Sequence, residues 1–591
     1  MKTQNQNIPN LKELEKEIGD FLAKKFGDNV KVATAFPNPN EDYAEGSDRI
    51  SPSKPKINFD LKPEELIAYL DQFVVKQDSA KAILSTKICT HFNRIKHARA
   101  INSELVGNIK NNVLMIGPTG VGKTYIIKLI AKKLGVPFVK GDATKFSETG
   151  YVGGDVEDLV RDLVREANGD IQLAQHGIIY IDEIDKIASS SNLIGADVSR
   201  TGVQRALLKP LEETEVDLKV AHDPISMMQE LDRFRRTGDS KKQTVNTRNI
   251  LFIVSGAFGD LTKIIQKRMA DQGIGFGATI VRVQKQDDIL KYVRSEDLVK
   301  FGFESEFVGR LPVKAVFERL EEKDLYDILK NPNNPIILGK KLDFAAYGID
   351  VKFDDDALCL LARQAYEENT GARGLVSAVE KALILFETRL PSTAVKEFPV
   401  TADVILHPEK MFKMLFLSPE PDLRESLFKA LCLKELKNVI DYLAANSKKL
   451  AEKHNFTLTP ARMEIIAKYY AKNVTTTGDA IQQIKNVYEK VKRIELQFYE
   501  NHDINIVLEE DAVDLIIEQL TTHSHPTDEI YGRISQDFEF GLKLVREKTG
   551  KTRFFITRSA LLDPEAYIGK LIKEYIKPDA SASSESELTE K

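Results

Sequence analysis

Cysteine is scarce in this sequence. Cys89, Cys359 and Cys432 are the only three in 591 residues, widely separated and in no C-x-x-C pair. That spacing excludes a zinc ribbon built from cysteines and fits packed thiols in a reducing compartment. An excess of charge of one sign is also missing: 84 Lys+Arg against 89 Asp+Glu leave a formal net charge of -5. No electrostatic reason therefore exists to expect nucleic acid as a partner. Uninterrupted apolar runs of about 18 residues are absent, and Met1-Lys2-Thr3-Gln4-Asn5 opens no apolar leader region. The expected location is the cytoplasm, with no membrane partner. What is present is ordinary for a globular chain, 42% hydrophobic and 29% charged, with length for about three or four domains.

The most informative stretch is Val113-Leu114-Met115-Ile116-Gly117-Pro118-Thr119-Gly120-Val121-Gly122-Lys123-Thr124. A short apolar run reads as a buried parallel strand that stops at a glycine-rich turn. From Tyr125 to Leu134 the apolar spacing becomes helical. This is the G-x-x-x-x-G-K-[ST] phosphate loop in its strand-loop-helix context. Pro118, Thr119, Gly120, Val121, Gly122, Lys123, Thr124 and Tyr125 are the candidate nucleotide-binding positions, where the glycines let backbone N–H groups curl around the β- and γ-phosphates at a helix N-terminus. Lys123 would reach the phosphate oxygens, and Thr124 would hold Mg²⁺ through its hydroxyl.

Upstream, Leu11 to Phe26 reads as one amphipathic helix, and a Pro-containing stretch from about Phe36 to Lys56 reads as a linker. Residues 1–56 are thus expected to be a helix and flexible linker. Leu61 to Ala98 reads as helix-turn-helix, interrupted at Phe73-Val74-Val75-Lys76-Gln77. The nucleotide core follows at about residues 111–315, with strands alternating with helices as a parallel α/β sheet requires.

In that core, Ile178-Ile179-Tyr180-Ile181 is a central strand from whose C-terminal end Asp182 and Glu183 emerge, where α/β sheets bind ligands. Asp182 is placed to orient Mg²⁺, and Glu183 is the natural base to polarise an attacking water. Together with the phosphate loop this says ATP hydrolysis with Mg²⁺. Between the two lies Thr149-Gly150-Tyr151-Val152-Gly153-Gly154, a poor core element and a good mobile loop. Tyr151 and Val152 could grip a polypeptide if presented to a channel. Taken alone, they are better read as a hydrophobic turn tucked against its own domain.

The segments Gly117–Thr124, Gly150–Gly153, Tyr180–Lys186, Ile274-Gly275-Phe276-Gly277-Ala278, Phe307-Val308-Gly309-Arg310-Leu311-Pro312 and Gly371-Ala372-Arg373-Gly374 occur in that order. The set resembles the ClpX family of AAA+ protein unfoldases in the Clp/Hsp100 group, from about Leu61 to about Leu406. Asp197-Val198-Ser199-Arg200 is closer to HslU. HslU, however, has a large inserted domain absent here and lacks the Ile-Gly-Phe loop.

The resemblance implies an AAA+ P-loop NTPase domain at 57–315, a parallel sheet flanked by helices, followed by a small α-helical sensor-2 domain at 316–408. It makes Tyr151 and Val152 the substrate-pulling pore loop and Ser189 to Thr201 a second, lower one. Arg310 becomes the arginine finger of a neighbouring subunit's site and Arg373 the sensor-2 arginine. Val74 and Val75 would flank the adenine. A guanidinium suits the charge on a transferring phosphoryl group, and a site completed in trans implies a ring, typically a hexamer. Without the family, Arg310 and Arg373 read better as surface salt-bridging residues. Ile274-Gly275-Phe276 is by itself either a hydrophobic plug for a partner or an anchor within the protein. The resemblance makes it the dock for a ClpP-like peptidase.

The expected function is ATP-dependent unfolding and translocation of protein substrates into such a peptidase. The alternative is a peptidase-independent chaperone that remodels protein complexes.

The chain departs from the family pattern in several places. The four-cysteine zinc domain is missing, so no zinc is expected. The turn reads Val75-Lys76-Gln77 where the family has glycine before the glutamine. The loop from Thr214 to Arg248 carries Arg233, Arg235, Arg236, Lys241 and Lys242 but not the family's Arg-Lys-His triplet. Ser255 is a weak candidate at the sensor-1 position. From about Glu409 to residue 577 an extension, expected to be mainly helical α+β, contains an internal echo. Val351–Leu358 resembles Ile506–Val513 and, more weakly, Phe456–Met463, each read as strand, cap and amphipathic helix. The nearest counterpart of the Gly-Ala-Arg-Gly turn there is Gly478-Asp479-Ala480. Residues 578–591, rich in Ser and Glu, are expected to be a disordered tail.

Overall fold

The computed structural model describes residues 57, 59–101, 110–146, 155–188, 198–218, 244–272, 289–417, 422–523 and 527–575. These residues fall into two compact units. One is built from the chain up to Pro63, Ile83–Ile116 and Thr124–Val316. The other is built from Glu64–Ala82, Gly117–Lys123 and the chain from Phe317 on.

The first unit is organised on strands β1 (Val113–Ile116), β2 (Phe138–Asp142), β3 (Ile178–Asp182), β4 (Glu215–Asp217), β5 (Thr244–Asn246), β6 (Leu251–Gly256) and β7 (Val313–Val316). Five of them form a sheet in the order β2-β3-β6-β1-β7, each neighbouring pair parallel. β1 and β6 are buried along their whole length and β3 along all but its last residue. A continuous apolar run is what a parallel strand covered on both faces requires. The helix Asp158–Glu166 presents Leu159, Val160, Leu163 and Val164 to the core, next to Ile181, Phe252 and Val254. Parallel strands end on one side, so Asp182 of β3 and Ser255 of β6 arrive at the same edge.

The loop from Thr214 to Arg248 is ordered in part. Its ends pair as the antiparallel strands β4 and β5, and its five basic candidates lie outside the described residues. The region after Lys267 continues the helix Leu261–Gln272 and resumes as the helix Ser295–Phe301.

In the second unit the helix Pro63–Leu70 precedes the turn 71–77, as the helix-turn-helix spacing predicts. From Phe317 on, helices Glu322–Lys330 and Pro335–Ala345 lead into β8 (Asp350–Phe353), helices Asp355–Glu367 and Ala372–Arg389, β9 (Glu397–Val400) and the short helices Ala402–Leu406 and Pro408–Phe412. Phe386 packs on Phe398 at 4.8 Å and near Phe412 at 6.0 Å, so aromatic rings fill this core.

Beyond residue 417 come helices Asp422–Ala445, Ser447–His454, Pro460–Asn473 and Thr477–His502. They are followed by β10 (Asn505–Leu508), helices Glu510–His523 and Thr527–Thr549, β11 (Arg553–Ile556) and helices Arg558–Leu562 and Pro564–Tyr575. The order strand, helix, helix, parallel strand, short helix, helix is the same in the two runs. Even the flanking bonds match. Asp350 N donates to Lys396 O and Asp354 N to Val400 O, while Asn505 N donates to Thr552 O and Glu509 N to Ile556 O. The parallel α/β domain, small helical domain and mainly helical extension expected from sequence are the fold found. Phe456 to Leu458, read as a further strand, form none; they lead into the helix Pro460–Asn473, capped by Thr459. Gly478-Asp479-Ala480 sits at the start of a helix. In element order, the counterpart of the Gly371 turn falls between His523 and Thr527. Among the described residues no helix is long and apolar enough to cross a membrane.

His91, in the helix Asp78–Ile101, shows how dry the first unit is. Its Nε2 lies 3.0 Å from Asn249 O. Burial, aided by Lys110, His176 and Arg94, pushes its pKa from 6.5 down to about 4, against the pull of the Asn249 carbonyl. The unfolded chain therefore binds one more proton between those two pH values, so stability is lost as pH falls through that window. Urea unfolding at a series of pH values is expected to show this slope in the native chain and a loss of about one proton of it in His91→Gln.

Candidate functional site

In the first unit the chemistry gathers at the C-terminal end of β3. Thr124 Oγ1 donates to Tyr180 Oη at 3.1 Å, Tyr180 Oη lies 2.6 Å from Ser255 Oγ, and Ser255 Oγ donates to Asp182 Oδ1 at 2.7 Å. Each hydroxyl has one proton; Ser255 gives its own to Asp182, which leaves the Tyr180 proton for Ser255 Oγ or for Asp182 Oδ1 at 3.4 Å. Burial raises the Tyr180 pKa to about 12, so the phenol stays a neutral donor. Burial opposes ionisation of Asp182, but the bonds from Ser255 and Lys140 outweigh it and hold the carboxyl below its ordinary value. Lys140 Nζ is 3.0 Å from Asp182 Oδ2. A hydroxyl and an ionised carboxylate are hard oxygen donors of the kind Mg²⁺ takes.

Glu183 follows at once, exposed and left-handed at φ 57. That conformation is uncommon for a residue with a side chain and clusters at functional sites. Its N–H donates to Asp182 Oδ1 at 3.1 Å, which fixes the turn. Arg310 ends the helix Ser305–Gly309 and is not part of this cluster. Its guanidinium is ion-paired with Glu212, while Asn112, buried before β1, donates to the Arg310 carbonyl at 3.2 Å.

The second unit holds the phosphate loop. Gly120 has φ +78, and a Cβ there would lie 2.0 Å from Thr370 O; Ala372 N donates to Gly120 O at 2.8 Å. The loop and the turn before Arg373 thus touch backbone to backbone, which only glycine permits. At Gly122 (φ +89) a Cβ would meet nothing within 4 Å, so the loop is open there, as a phosphate cradle must be. Lys123 is buried and donates to Gly117 O at 2.6 Å and Pro118 O at 2.8 Å. Arg373 is exposed in the first turn of its helix and makes no ion pair among the described residues.

Val74 is buried and Val75 half-buried in the turn 71–77 of the same unit. Lys76 and Gln77 after them are both left-handed, at φ 60 and 63. The glycine that the family pattern puts at Lys76 would adopt this backbone freely. Here the lysine is compensated: its Nζ donates to Arg319 O at 3.0 Å and pairs with Asp324 at 2.8 Å. Gln77 exchanges two bonds with the Glu318 backbone, at 2.7 and 2.8 Å. Phe317 meanwhile lies against Gly117, so consecutive residues 317 to 319 touch both the phosphate loop and this turn.

Sequence reasoning missed Tyr180 and Lys140 and undervalued Ser255. The signal available was a single phenol inside an otherwise aliphatic strand. Tyr151, Val152, Ile274, Gly275, Phe276 and most of Ser189 to Thr201 lie outside the described residues.

Comparison with known proteins gives the following matches. The family described as AAA domain (Cdc48 subfamily) matches residues 108–314, and the C-terminal, D2-small domain, of ClpB protein matches residues 320–385. A Treponema denticola protein named ATP-dependent Clp protease ATP-binding subunit ClpX is 42% identical over 326 residues, 54% of this chain and 75% of the relative. Proteins of the same name from Borrelia duttonii and Borrelia recurrentis are each 40% identical over 354 residues, 58% of this chain and 78% of the relative.

Tyr180→Phe removes the middle of the hydroxyl chain while keeping the ring. Titrating Mg²⁺ in an ATP-hydrolysis assay is expected to show a half-maximal concentration raised by about 3- to 10-fold, the worth of one hydrogen bond.

Proposed function

This chain belongs to the ClpX family of AAA+ Clp ATPases, and from that membership we propose that it works as an ATP-dependent unfoldase and translocase, threading protein substrates through a ring into a ClpP-like peptidase. The observation that carries the ATPase half is the bonded line from Thr124 to Asp182 with Glu183 exposed beside it. In this reading Lys123 and Arg373 bind the phosphates of ATP, and Val74 and Val75 flank the base. Thr124 and Asp182 hold Mg²⁺, which when bound neutralises charge on the phosphate oxygens. Ser255 and Lys140 keep the Asp182 carboxylate ionised, and Tyr180 holds the Ser255 hydroxyl. Glu183, exposed at the strand end, draws a proton from the attacking water.

Arg310 serves the neighbouring subunit. Its pairing with Glu212 gives it a partner to leave when a phosphate of the next subunit is offered, so hydrolysis depends on assembly into a ring, typically of six. Tyr151 and Val152 then push on the substrate as nucleotide state changes, and Ile274-Gly275-Phe276 docks the peptidase. The cytoplasm is the compartment this reading requires.

The deciding experiment mixes the protein, ATP, a ClpP-type peptidase and a folded fluorescent substrate with an unstructured tail. Loss of fluorescence together with peptide release is the expected result. ATP turnover with the substrate intact would favour a peptidase-independent remodelling chaperone instead. Two variants separate the parts. Glu183→Gln is expected to bind ATP normally while turnover falls by about 100-fold or more. Phe276→Ala is expected to keep unfolding activity and lose peptide release.

A further inference from the structure

We propose that the extension after residue 409 holds the turn 71–77 in its nucleotide-binding conformation, with Asn333 and Lys453 as the positioning residues. This rests on the reading of Val74 and Val75 as the contacts to the base.

Asn333 lies between the helices Glu322–Lys330 and Pro335–Ala345 and is 3% exposed. Its amide N–H groups donate to Gln72 O at 3.4 Å and to Tyr442 Oη at 3.1 Å. Its Oδ1 accepts from both Thr477 N at 2.9 Å and Thr477 Oγ1 at 3.0 Å. Two donors and two lone pairs are thereby used in full. Two of these partners, Tyr442 and Thr477, belong to the extension, and the third is the carbonyl two residues before Val74.

A second set of bonds reaches the same turn from the helix Ser447–His454. Lys453 Nζ donates to Gln72 Oε1 at 2.9 Å and lies over the Tyr69 ring at 5.1 Å. Lys449 stands 4.0 Å from Asp71, whose other oxygen receives Lys81 at 2.7 Å. Lys81, buried, donates in turn to the Val74 carbonyl at 3.4 Å.

The turn needs such support. Lys76 and Gln77 are two consecutive left-handed residues with side chains, a backbone that a free segment rarely adopts and that persists only when its surroundings over-determine it. Glu318, Arg319 and Asp324 grip it after Val75. Before Val74, Asn331 donates to the Gln72 carbonyl at 2.9 Å, and the extension adds its own grip through Lys453 and, by way of Asn333, through Tyr442 and Thr477. Loosening the second grip lowers the fraction of chains competent to bind nucleotide, which weakens apparent affinity without touching the groups that cleave it.

The test uses the full chain. The affinity of a fluorescent ATP analogue and the ATPase KM and kcat are measured for Lys453→Met, Thr477→Val, the conservative Lys453→Arg and Lys448→Met, a control with the same charge change on the same helix. Lys453→Met and Thr477→Val are expected to raise Kd and KM by about 3- to 10-fold with kcat within about 2-fold. Lys453→Arg should stay near the native value, and Lys448→Met should match it. A Kd and KM unchanged in Lys453→Met overturns the proposal, whether or not Thr477→Val folds. So does a rise of the same size in Lys448→Met, which would mark a plain charge effect. A native chain that binds no analogue overturns the nucleotide reading itself, a result distinct from either.

Discussion

Gly120 and Gly371, 251 positions apart, meet where nothing larger than hydrogen fits between their segments. A Cβ on Gly120 would fall 2.0 Å from Thr370 O, and one on Gly371 would fall 2.8 Å from Gly120 O. The bond from Ala372 N to Gly120 O closes this contact. The start of the helix Ala372–Arg389 is therefore set by the shape of the phosphate loop. The rest of that helix buries Leu375, Val379, Leu383 and Phe386 among the aromatic rings of its domain. A change in the loop is passed to a packed helix, and packed interiors move as bodies rather than deform. Arg373, one residue past the contact, is exposed in the first turn of that helix.

The Asp182 end of the chemistry relies on a different economy. A carboxylate at the end of a buried strand loses solvation, and Ser255 and Lys140 supply fixed partners in its place. The line of bonded hydroxyls from Thr124 also narrows the rotational choice of all three at once, so the groups that would hold a metal ion are oriented before it arrives.

Much of this was legible in the chain because the signals are local. The phosphate loop, the Ile178–Glu183 strand and the Gly371 turn each declare themselves within about ten residues, and the alternation of strand and helix between them follows from apolar spacing. What could not be read arises from distance. Ser255 meets Asp182 across 73 residues, and Lys140 meets it across a neighbouring strand register. The pairing of β4 with β5 spans a long polar insertion with no hydrophobic pattern of its own. Phe456 to Leu458 imitate a strand in composition but have no partner strand among the described residues, and a strand without one leaves its backbone unpaired. Lys76 was legible as an oddity. Its left-handed backbone and its compensation by Asp324 were not.

Three side-chain-bearing residues near the chemistry, Lys76, Gln77 and Glu183, are held left-handed. Each costs on the order of 1 kcal/mol or more to hold, and each is met by bonds to other segments. For Glu183 the bond is next door, to Asp182. For Lys76 and Gln77 it comes from residues more than 240 positions away. A turn that depends on remote partners responds to whatever those partners are attached to. In this chain they are attached to the small domain and, through Asn333 and Lys453, to the helices that follow it. The second strand-helix-helix-strand run beyond them keeps its caps and its register while holding no arginine-bearing turn among its described residues. The bonds to the turn before Val74 come from helices that precede this run, by way of Lys453 and of Tyr442 and Thr477 on Asn333.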